Sequence, residues 1–506
     1  MKHLLALIFL FLLTAMPMAA DEDIQLDVKE KTLSNGMRIL VVENDIAPVF
    51  STYIRFRVGS ADENLGITGT SHLLEHMLFK GTKIIGTSDY EAEKPLMAKI
   101  DSLAALLRQE KTKLQNYLKG GSEERVKALR DEIAAVQAEQ TQYVIKDELW
   151  ETYLKNGGSG LNASTGNDGT QYYVSLPNNR LELWAFLESD RIANLQLREF
   201  YSERDVVREE RRLRTDTQPW GMVYEALNAT AHWGSPYHWG VIGWGTDIEN
   251  VMREEVAQYF KTYYHPGNAI ACIVGDVKAE EVFDICEKYF GKIPAGPTPP
   301  PVYTFDDPQS GERKVEVEFD ANPVGVVAWH MPQVTHPDVA PLDVLSDILS
   351  RGRTSRFYKK ITEKQIGNVG ASISFSRYPD LFVARITPMG DYTVDEVMDS
   401  VYAELELLKE NPVEQWEIDK VRNQADADFV RSLSSNGGLA YRIGNMEAMV
   451  GNWHYLIDYR NELKAVTPDD ILRVAKTYFT KANRTVVTLV KKDQQPPADK
   501  TMGTTL

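Results

Sequence analysis

The sequence predicts an α+β fold made of two related halves, a tandem duplication of one unit that combines helices with a mixed or antiparallel sheet. The main observation is a repeated ending. In the first half a helical segment ends in a Lys-Thr-Tyr triplet at Lys261, and Asn268 then precedes a β-branched strand. The second half repeats this order at Lys476 and Asn483, so both pairs are offset by 215 residues without a gap.

The two halves also open alike, and a proline-rich stretch separates them. A strand pair precedes a helix both at residues 38–57 and at residues 315–330. Residues 291–301 contain five prolines, which cannot continue a helix or a central strand. We therefore divide the chain into a signal segment at 1–20, an N-terminal domain at 25–290, a linker at 291–313, a C-terminal domain at 314–492 and a tail at 493–506.

The first half is longer because it contains an insertion at about residues 92–155. Apolar residues follow helical spacing on both sides of Gly120-Gly121, which interrupts the pattern. This predicts an antiparallel helical hairpin whose apolar seams pack together. The hairpin is either a packing spacer or a docking arm for a partner, and the sequence leaves both open. The seam residues are Leu96, Ile100, Leu103, Leu107 and Leu114, then Val126, Leu129, Ile133, Val136 and Tyr143.

Composition and the N-terminus indicate a soluble, exported protein. Hydrophobic residues make up 43% of the chain and charged residues 25%, and the net charge of −17 argues against nucleic acid or an anionic membrane as the main partner. Lys2 and His3 precede an apolar run at residues 4–13, too short to span a bilayer, and small residues follow up to Ala20. We expect a signal peptide cleaved near Ala20, a periplasmic or secreted protein, and no membrane span after cleavage.

The only two cysteines, Cys272 and Cys286, fall on a predicted strand and on the next helix. Export would permit a disulfide between them. The pattern favours two buried thiols instead, although the sequence alone does not decide this. Neither cysteine has the partners of a nucleophile or the spacing of a zinc site.

Residues 71–79, with the sequence SHLLEHMLF, carry the chemistry. Glycines and Ser71 upstream are turn and cap residues, so a helix is expected to begin near Thr70. His72 and His76 are one helical turn apart and can reach one ion from the same face. Glu75 lies beside them and can act as general base on the water that a zinc ion polarises. This H-x-x-E-H pattern is the inverted form of the commoner zincin motif.

A third ligand is expected on the helix at residues 203–210. Glu203, Val206, Val207 and Glu210 share one face there, since 3, 4 and 7 are helical spacings. Two carboxylates beside two valines on a buried face suit a metal ligand, Glu210, with a supporting glutamate, Glu203. The spacing alone fits a salt-bridged helix with the neighbouring arginines equally well.

The motif at residues 70–82 (TSHLLEHMLFKGT) strongly resembles the active-site segment of the pitrilysin/insulinase family of zinc peptidases, which includes the mitochondrial processing peptidases. Residues 162–172, the helix at 203–210 and the LSNGM segment at 33–37 resemble the same family. The resemblance implies a processing-peptidase-like fold and one Zn2+ per chain. It makes Glu210 the third ligand and Glu203 its support. It also places Asn162 and Ala163 on an edge strand to which an extended peptide substrate adds.

One departure from the family concerns the second half. Members that work alone carry an Arg and, seven residues on, a Tyr that reach the substrate. Here Thr362 and Val369 stand at those positions and cannot donate the same hydrogen bonds. In the two-subunit branch one subunit keeps the zinc motif and the other supplies the pair. We therefore expect a heterodimer with an Arg/Tyr-bearing relative, or a homodimer.

The resulting interpretation is a zinc endopeptidase that hydrolyses peptides or unfolded segments in a chamber between two halves. The alternative is a catalytically silent scaffold or peptide-binding subunit of the same fold. Because His72, Glu75, His76 and Glu210 are all present, the sequence favours the enzyme.

Overall fold

The computed structural model describes residues 25–115 and 120–492. The expected signal segment at 1–20 and the tail at 493–506 lie outside the described residues. The first half contains, in chain order, β1 (Lys29–Thr32), β2 (Arg38–Glu43), β3 (Val49–Phe56), α1 (Thr70–Met77), α2 (Tyr90–Gln115), α3 (Glu123–Gln140), α4 (Glu148–Lys155), β4 (Ser159–Thr165), β5 (Thr170–Pro177), α5 (Leu181–Asn194), α6 (Phe200–Arg211), α7 (Pro219–Ala231), α8 (Gly245–Asn250), α9 (Arg253–Tyr263), β6 (Ala269–Gly275) and α10 (Ala279–Tyr289).

The second half is shorter and has the same kinds of element. It contains β7 (Arg313–Phe319), β8 (Val324–Met331), α11 (Val339–Ser350), β9 (Gly367–Ile373), β10 (Asp380–Pro388), α12 (Val394–Glu410), α13 (Gln415–Leu433), α14 (Asn436–Val450), α15 (Tyr455–Ala465), α16 (Pro468–Tyr478) and β11 (Arg484–Lys491). Among the described residues, no helix is both long and apolar enough to cross a membrane.

Each half builds one mixed sheet, and the two sheets have the same strand order. The first runs β1-β2-β6-β3-β5-β4 and the second β7-β11-β8-β10-β9, so β2 to β6 correspond one to one with β7 to β11. In each sheet one pair is parallel, β2 with β6 and β7 with β11, and the other pairs are antiparallel. Helix α16 begins and ends 215 residues after helix α9, which is the offset of the repeated sequence pattern. The predicted α+β fold with a tandem duplication is therefore confirmed.

The halves are joined by an exchange of helices. The helix α7 of the first half packs on the second sheet, where Val223 and Leu227 join a buried cluster with Val326 and Val487. The helix α14 of the second half packs on the first sheet, where Ile443 meets the buried face of β6. Burying a side chain of this size stabilises a fold by about 1.5–3 kcal/mol relative to exposing it. The exchange therefore resists separation of the halves.

The insertion in the first half is a pair of packed helices, α2 and α3. Their seam residues Leu103, Leu129 and Ile133 are buried. Two ion pairs tie α2 to α9, since Arg253 contacts Asp101 and Arg108 contacts Glu255. The hairpin thus lies against the body of the first half.

Both cysteines are free and buried, Cys272 on β6 and Cys286 on α10. Burial raises the pKa of each thiol well above its usual value. They are packing residues, as the sequence pattern favours.

Candidate metal centre

Gly69 and Glu63 fix the N-terminus of helix α1. Gly69 precedes it with φ +87, and a Cβ there would lie 2.4 Å from the carbonyl oxygen of Ile242, so only glycine fits. The buried carboxylate of Glu63 accepts hydrogen bonds from the amides of Gly69 at 2.8 Å and Ser71 at 2.7 Å. Burial raises the pKa of Glu63 to about 8. Glu63 lies outside the helix but accepts hydrogen bonds at its N-terminus, as an N-cap side chain would.

One face of α1 is buried and the adjacent face presents the two histidines. Leu73, Leu74 and Met77 are at most 1% exposed and anchor the helix in the first core. The rings of His72 and His76 lie 4.8 Å apart between centroids. His72 is 8% exposed, and burial together with the neighbouring His76 lowers its pKa to about 3. His72 is therefore neutral at ordinary pH, as a metal ligand must be.

The helix α6 brings Glu210 to the two histidines. His72 Nε2 lies 3.7 Å from Glu210 Oε1, and His76 Nε2 lies 3.4 Å from Glu210 Oε2. One ligand atom of each of the three residues lies within 4.8 Å of the others. The three residues that the sequence selects as ligands thus meet at one point.

Glu203 contacts the other side of His76. Its Oε1 lies 2.9 Å from His76 Nδ1, and its Oε2 lies 2.6 Å from Lys80 Nζ. Although burial opposes it, these two contacts lower the pKa of Glu203 to about 2. An ionised carboxylate at Nδ1 holds the proton on that nitrogen and leaves the lone pair of Nε2 directed at the metal position.

One detail of the predicted helix face is wrong. Val207 is fully buried, but Val206 is 52% exposed, so the two valines do not share a buried face with the glutamates. The expected arginine network also exists: Arg208 pairs with Asp216 and Glu249 on another side of α6. The salt-bridge interpretation therefore describes one side of α6, while Glu203 and Glu210 face the histidines of α1.

Glu75 is held beside the metal position by the edge strand β4. Thr165 Oγ1 donates a hydrogen bond to Glu75 Oε2 at 2.6 Å. Burial raises the pKa of Glu75, although Thr165 and His76 counteract it. On the same strand Asn162 is exposed and Ala163 is buried, and β4 is the last strand of the first sheet. Asn162 and Ala163 thus lie on a free sheet edge next to α1.

Two cavities share part of their walls at the candidate metal centre. One of about 460 Å³ is lined by Phe79 and Trp150, and the other of about 830 Å³ is lined by Tyr224 and Val241. Both include Glu75, His76 and Asn162 in their walls. All their lining residues belong to the first half, and those of the larger cavity include residues of α7, the helix that packs on the second sheet.

The donor set fits zinc. Two imidazole nitrogens and one carboxylate leave a fourth tetrahedral position open for water, as in catalytic zinc sites. His72 Nδ1 is buried without a hydrogen-bond partner among the described residues, while Nε2 faces Glu210. Arg214 Nη1 contacts Glu210 Oε1 at 2.7 Å and would hold one carboxylate oxygen when the other binds a metal.

Sequence reasoning assigned no role to three residues at this site: Thr165, Lys80 and Arg214. The last two had a local signal, because Lys80 is four residues from His76 and Arg214 four from Glu210, one helical turn in each case. Thr165 had none, since only the sheet places it beside Glu75.

Glu203→Gln is expected to weaken zinc binding by about 10- to 100-fold, because an amide no longer holds His76 with a full charge. Competition with a chromophoric chelator measures the affinity. Glu209→Gln is the matched control, since Glu209 is on the same helix, is 55% exposed and pairs with the exposed Arg212. Equal affinities for the two variants would contradict the supporting role of Glu203.

The fold and the donor set together define a two-lobed α+β protein with an inverted zincin site. Family models match in both halves: Insulinase (Peptidase family M16) over residues 38–115 and Peptidase M16 inactive domain over residues 250–425. The chain belongs to the pitrilysin/insulinase family of zinc peptidases.

Named relatives agree with this. Zinc protease PqqE of Helicobacter pylori is 29% identical over 476 residues, which cover 90% of this chain and 91% of that protein. Mitochondrial-processing peptidase subunit beta of Lentinula edodes is 23% identical, covering 88% of this chain and 86% of that protein. The crystal structure of a protease from Helicobacter pylori matches with a TM-score of 0.77 at 26% identity, covering 92% of this chain and all of that one.

Proposed function

We propose that this chain is a zinc-dependent endopeptidase that cleaves peptides or unfolded segments, with Glu75 as its general base. The observation that carries the proposal is the convergence of His72, His76 and Glu210 beside a carboxylate that Thr165 holds in position. Zinc, when bound, lowers the pKa of water and polarises a carbonyl group.

The residues of the chain supply the proton transfer. Glu75 accepts a proton from the attacking water at a carboxylate oxygen and delivers it to the nitrogen of the leaving amine. The raised pKa of Glu75 makes it a stronger base than an ordinary glutamate. Because Thr165 hydrogen-bonds one oxygen, the other is left for the proton.

The substrate proposed for this site is an extended peptide. The outer edge of β4 offers main-chain groups at Asn162 and Ala163, to which a peptide strand can add. The two cavities on either side of Glu75 would receive side chains before and after the cleaved bond. A folded protein rarely presents such a strand, so loose segments are the preferred class.

The test is cleavage of a long unfolded peptide by the mature chain, followed by mass spectrometry of the products. Internal cuts by the wild type and none by His72→Ala would support the proposal. His336→Gln is the control, since His336 lies in the second half, is about 38% exposed and caps a turn at Asp338. Cleavage by His72→Ala at the wild-type rate would overturn the proposal, and so would peptide binding without any cleavage when the candidate partner subunit is also present.

We further propose that activity requires a partner subunit. The positions that would hold the Arg and Tyr of self-sufficient members are used otherwise. Thr362 ends a short helical turn, and Val369 pairs with Ile386 inside the second sheet. Neither residue lines a cavity at the metal centre. A related chain carrying that pair, or a second copy using other residues, would complete the site.

Assays with and without the candidate partner test this. We expect the chain alone to cleave poorly and an Arg/Tyr-bearing relative to raise kcat/KM by at least about 100-fold, the size of effect that one lost oxyanion donor has in other hydrolases. Full activity of the monomer in dilute solution would refute the partner requirement without refuting the peptidase.

The proposed compartment is the periplasm or the cell exterior. The N-terminal pattern supports export, and the periplasmic protease PqqL of Escherichia coli has a similar fold, with a TM-score of 0.66 for its first half. N-terminal sequencing of the protein recovered from cells tests this. A mature end near Asp21 is expected, and an intact Met1 would contradict export.

A further inference from the structure

We propose a second metal site, in which His232, Asp306 and His330 bind one divalent transition-metal ion. A bound ion would hold the end of α7 and the linker against the second sheet. The site is separate from the metal centre on α1 and shares no residue with it.

The three residues come from three segments that only the fold brings together. His232 directly follows α7, Asp306 lies in the linker, and His330 is on β8. One nitrogen or oxygen atom of each lies within 4.8 Å of the others. His232 Nδ1 is 3.2 Å from Asp306 Oδ2, close to the distance of about 3.3 Å that separates two ligand atoms on one tetrahedral zinc ion.

One carboxylate oxygen of Asp306 is already engaged by the backbone. Asp306 Oδ1 accepts hydrogen bonds from the amides of Trp233 at 2.6 Å and Gly234 at 2.7 Å. Asp306 therefore keeps Oδ2 for an ion while the backbone holds Oδ1, the arrangement that orients ligands in protein metal sites.

His232 lacks the corresponding partner. It is 1% exposed, and its Nε2 makes no well-formed hydrogen bond among the described residues. The nearest acceptor is Asp380 Oδ1 at 3.4 Å, while Asp380 Oδ2 accepts from Ser376 Oγ at 2.7 Å. An ion on Nδ1 would fix the proton on Nε2 and direct it at Asp380, forming the carboxylate–histidine–metal pattern.

The negative charge of the two carboxylates near His232 also favours a bound cation. Within the described ranges neither Asp306 nor Asp380 forms an ion pair with a lysine or arginine. The nearby Arg313 instead donates to the carbonyls of Thr230 and Ala231 and stacks on Trp233 at 3.7 Å. The partly buried carboxylate of Asp306 and the buried carboxylate of Asp380 are thus balanced either by a divalent ion or by a proton on His232.

The second imidazole, His330, favours the ion. A proton on His232 between Asp306 and Asp380 would involve no other ring, whereas the ring of His330 lies 5.5 Å from that of His232 and offers a nitrogen within 4.8 Å of the other two ligand atoms. Two imidazoles and a carboxylate are a ligand set for zinc-like ions.

The location indicates a structural role. The His232 ring lies 6.0 Å from that of Tyr237, whose hydroxyl donates to Asp168 at 2.8 Å. Asp168 also accepts from the amide of Arg377 in the second half at 3.0 Å. An ion at His232 would therefore stabilise the segment through which the two halves contact each other.

Counting metal ions per chain tests the inference. The mature protein is equilibrated with a small excess of Zn2+, passed over a desalting column and analysed by plasma mass spectrometry. We expect two ions in the wild type, one in His72→Ala, one in His330→Gln, and none when both substitutions are combined. The control His336→Gln is expected to retain two.

Asp306→Asn provides a second variant, since an asparagine keeps the oxygen that accepts from Trp233 and Gly234 and loses the charge. It should also hold one ion, and chelator should lower its Tm less than that of the wild type. One ion in the wild type that survives in His330→Gln and Asp306→Asn would overturn the second site. The loss of the ion in His72→Ala alone speaks only to the centre on α1, so the two proposals can fail separately.

Discussion

Glu75→Gln is expected to lower kcat on an unfolded peptide by about 1,000-fold, the middle of the range for a positioned general base. The amide keeps the shape of the side chain and can still contact Thr165, but it cannot accept the proton of the attacking water. Because Glu75 is not among the three ligands, zinc content should not change. Single-turnover cleavage together with metal analysis measures both quantities.

Two controls make this result specific. Glu209→Gln changes an exposed glutamate on α6 and should leave kcat and zinc unchanged. Glu210→Gln should lower zinc affinity as well as activity, which separates a ligand from a base. If Glu75→Gln retained wild-type kcat, the assignment of Glu75 as the base would be wrong, whatever the metal content.

Arg198→Met is expected to destabilise the protein by about 3–5 kcal/mol, because it leaves the carboxylate of Glu93 buried without its charged partner. Both side chains are fully buried, and Arg198 Nε lies 2.8 Å from Glu93 Oε1. Arg198 also donates to the carbonyls of Lys80 at 2.7 Å and Thr82 at 2.9 Å, in the turn that follows α1. Its loss should therefore loosen the metal centre as well as the core.

Urea unfolding monitored by circular dichroism gives the change in free energy of unfolding. Lys155→Met is the matched control: both side chains of its pair with Glu151 are exposed, at 73% and 57%, so no measurable change in the free energy of unfolding is expected. Adding Glu93→Leu to Arg198→Met should recover part of the loss, since no charge then stays buried. A loss below about 1 kcal/mol for Arg198→Met would show that Glu93 is not held as a buried ion.

Most of the metal centre could be predicted from local spacing. His72, Glu75 and His76 lie on one helical turn, so a single α-helix is enough to bring them together. Thr165 and Asn162 come to Glu75 through the pairing of β4 with β5, and no local pattern shows that approach. Val206 illustrates the limit, since the helical spacing was right but the packing left that position in solvent.

The second cluster had no signal in the sequence. His232, Asp306 and His330 are spread over about 100 residues in three kinds of segment, and each is unremarkable alone. They meet because α7 packs on the second sheet, so that His232 at its end lies against Asp306 of the linker and near β8. The exchange of α7 and α14 between the halves was equally hidden, since hydrophobic spacing shows that a helix buries one face but not against which sheet.

The sequence by itself therefore determined what local periodicity and repetition encode: two copies of one α+β unit, an inserted hairpin, and a histidine pair with its glutamate on one turn. The tertiary structure decided the common strand order, the exchange of helices, the approach of Glu210 to His72 and His76, and the meeting of His232 with His330. The physical reason is that helix and strand patterns depend on neighbours a few residues apart. Contacts between distant segments depend instead on which apolar faces pack together, and many pairings satisfy the same pattern.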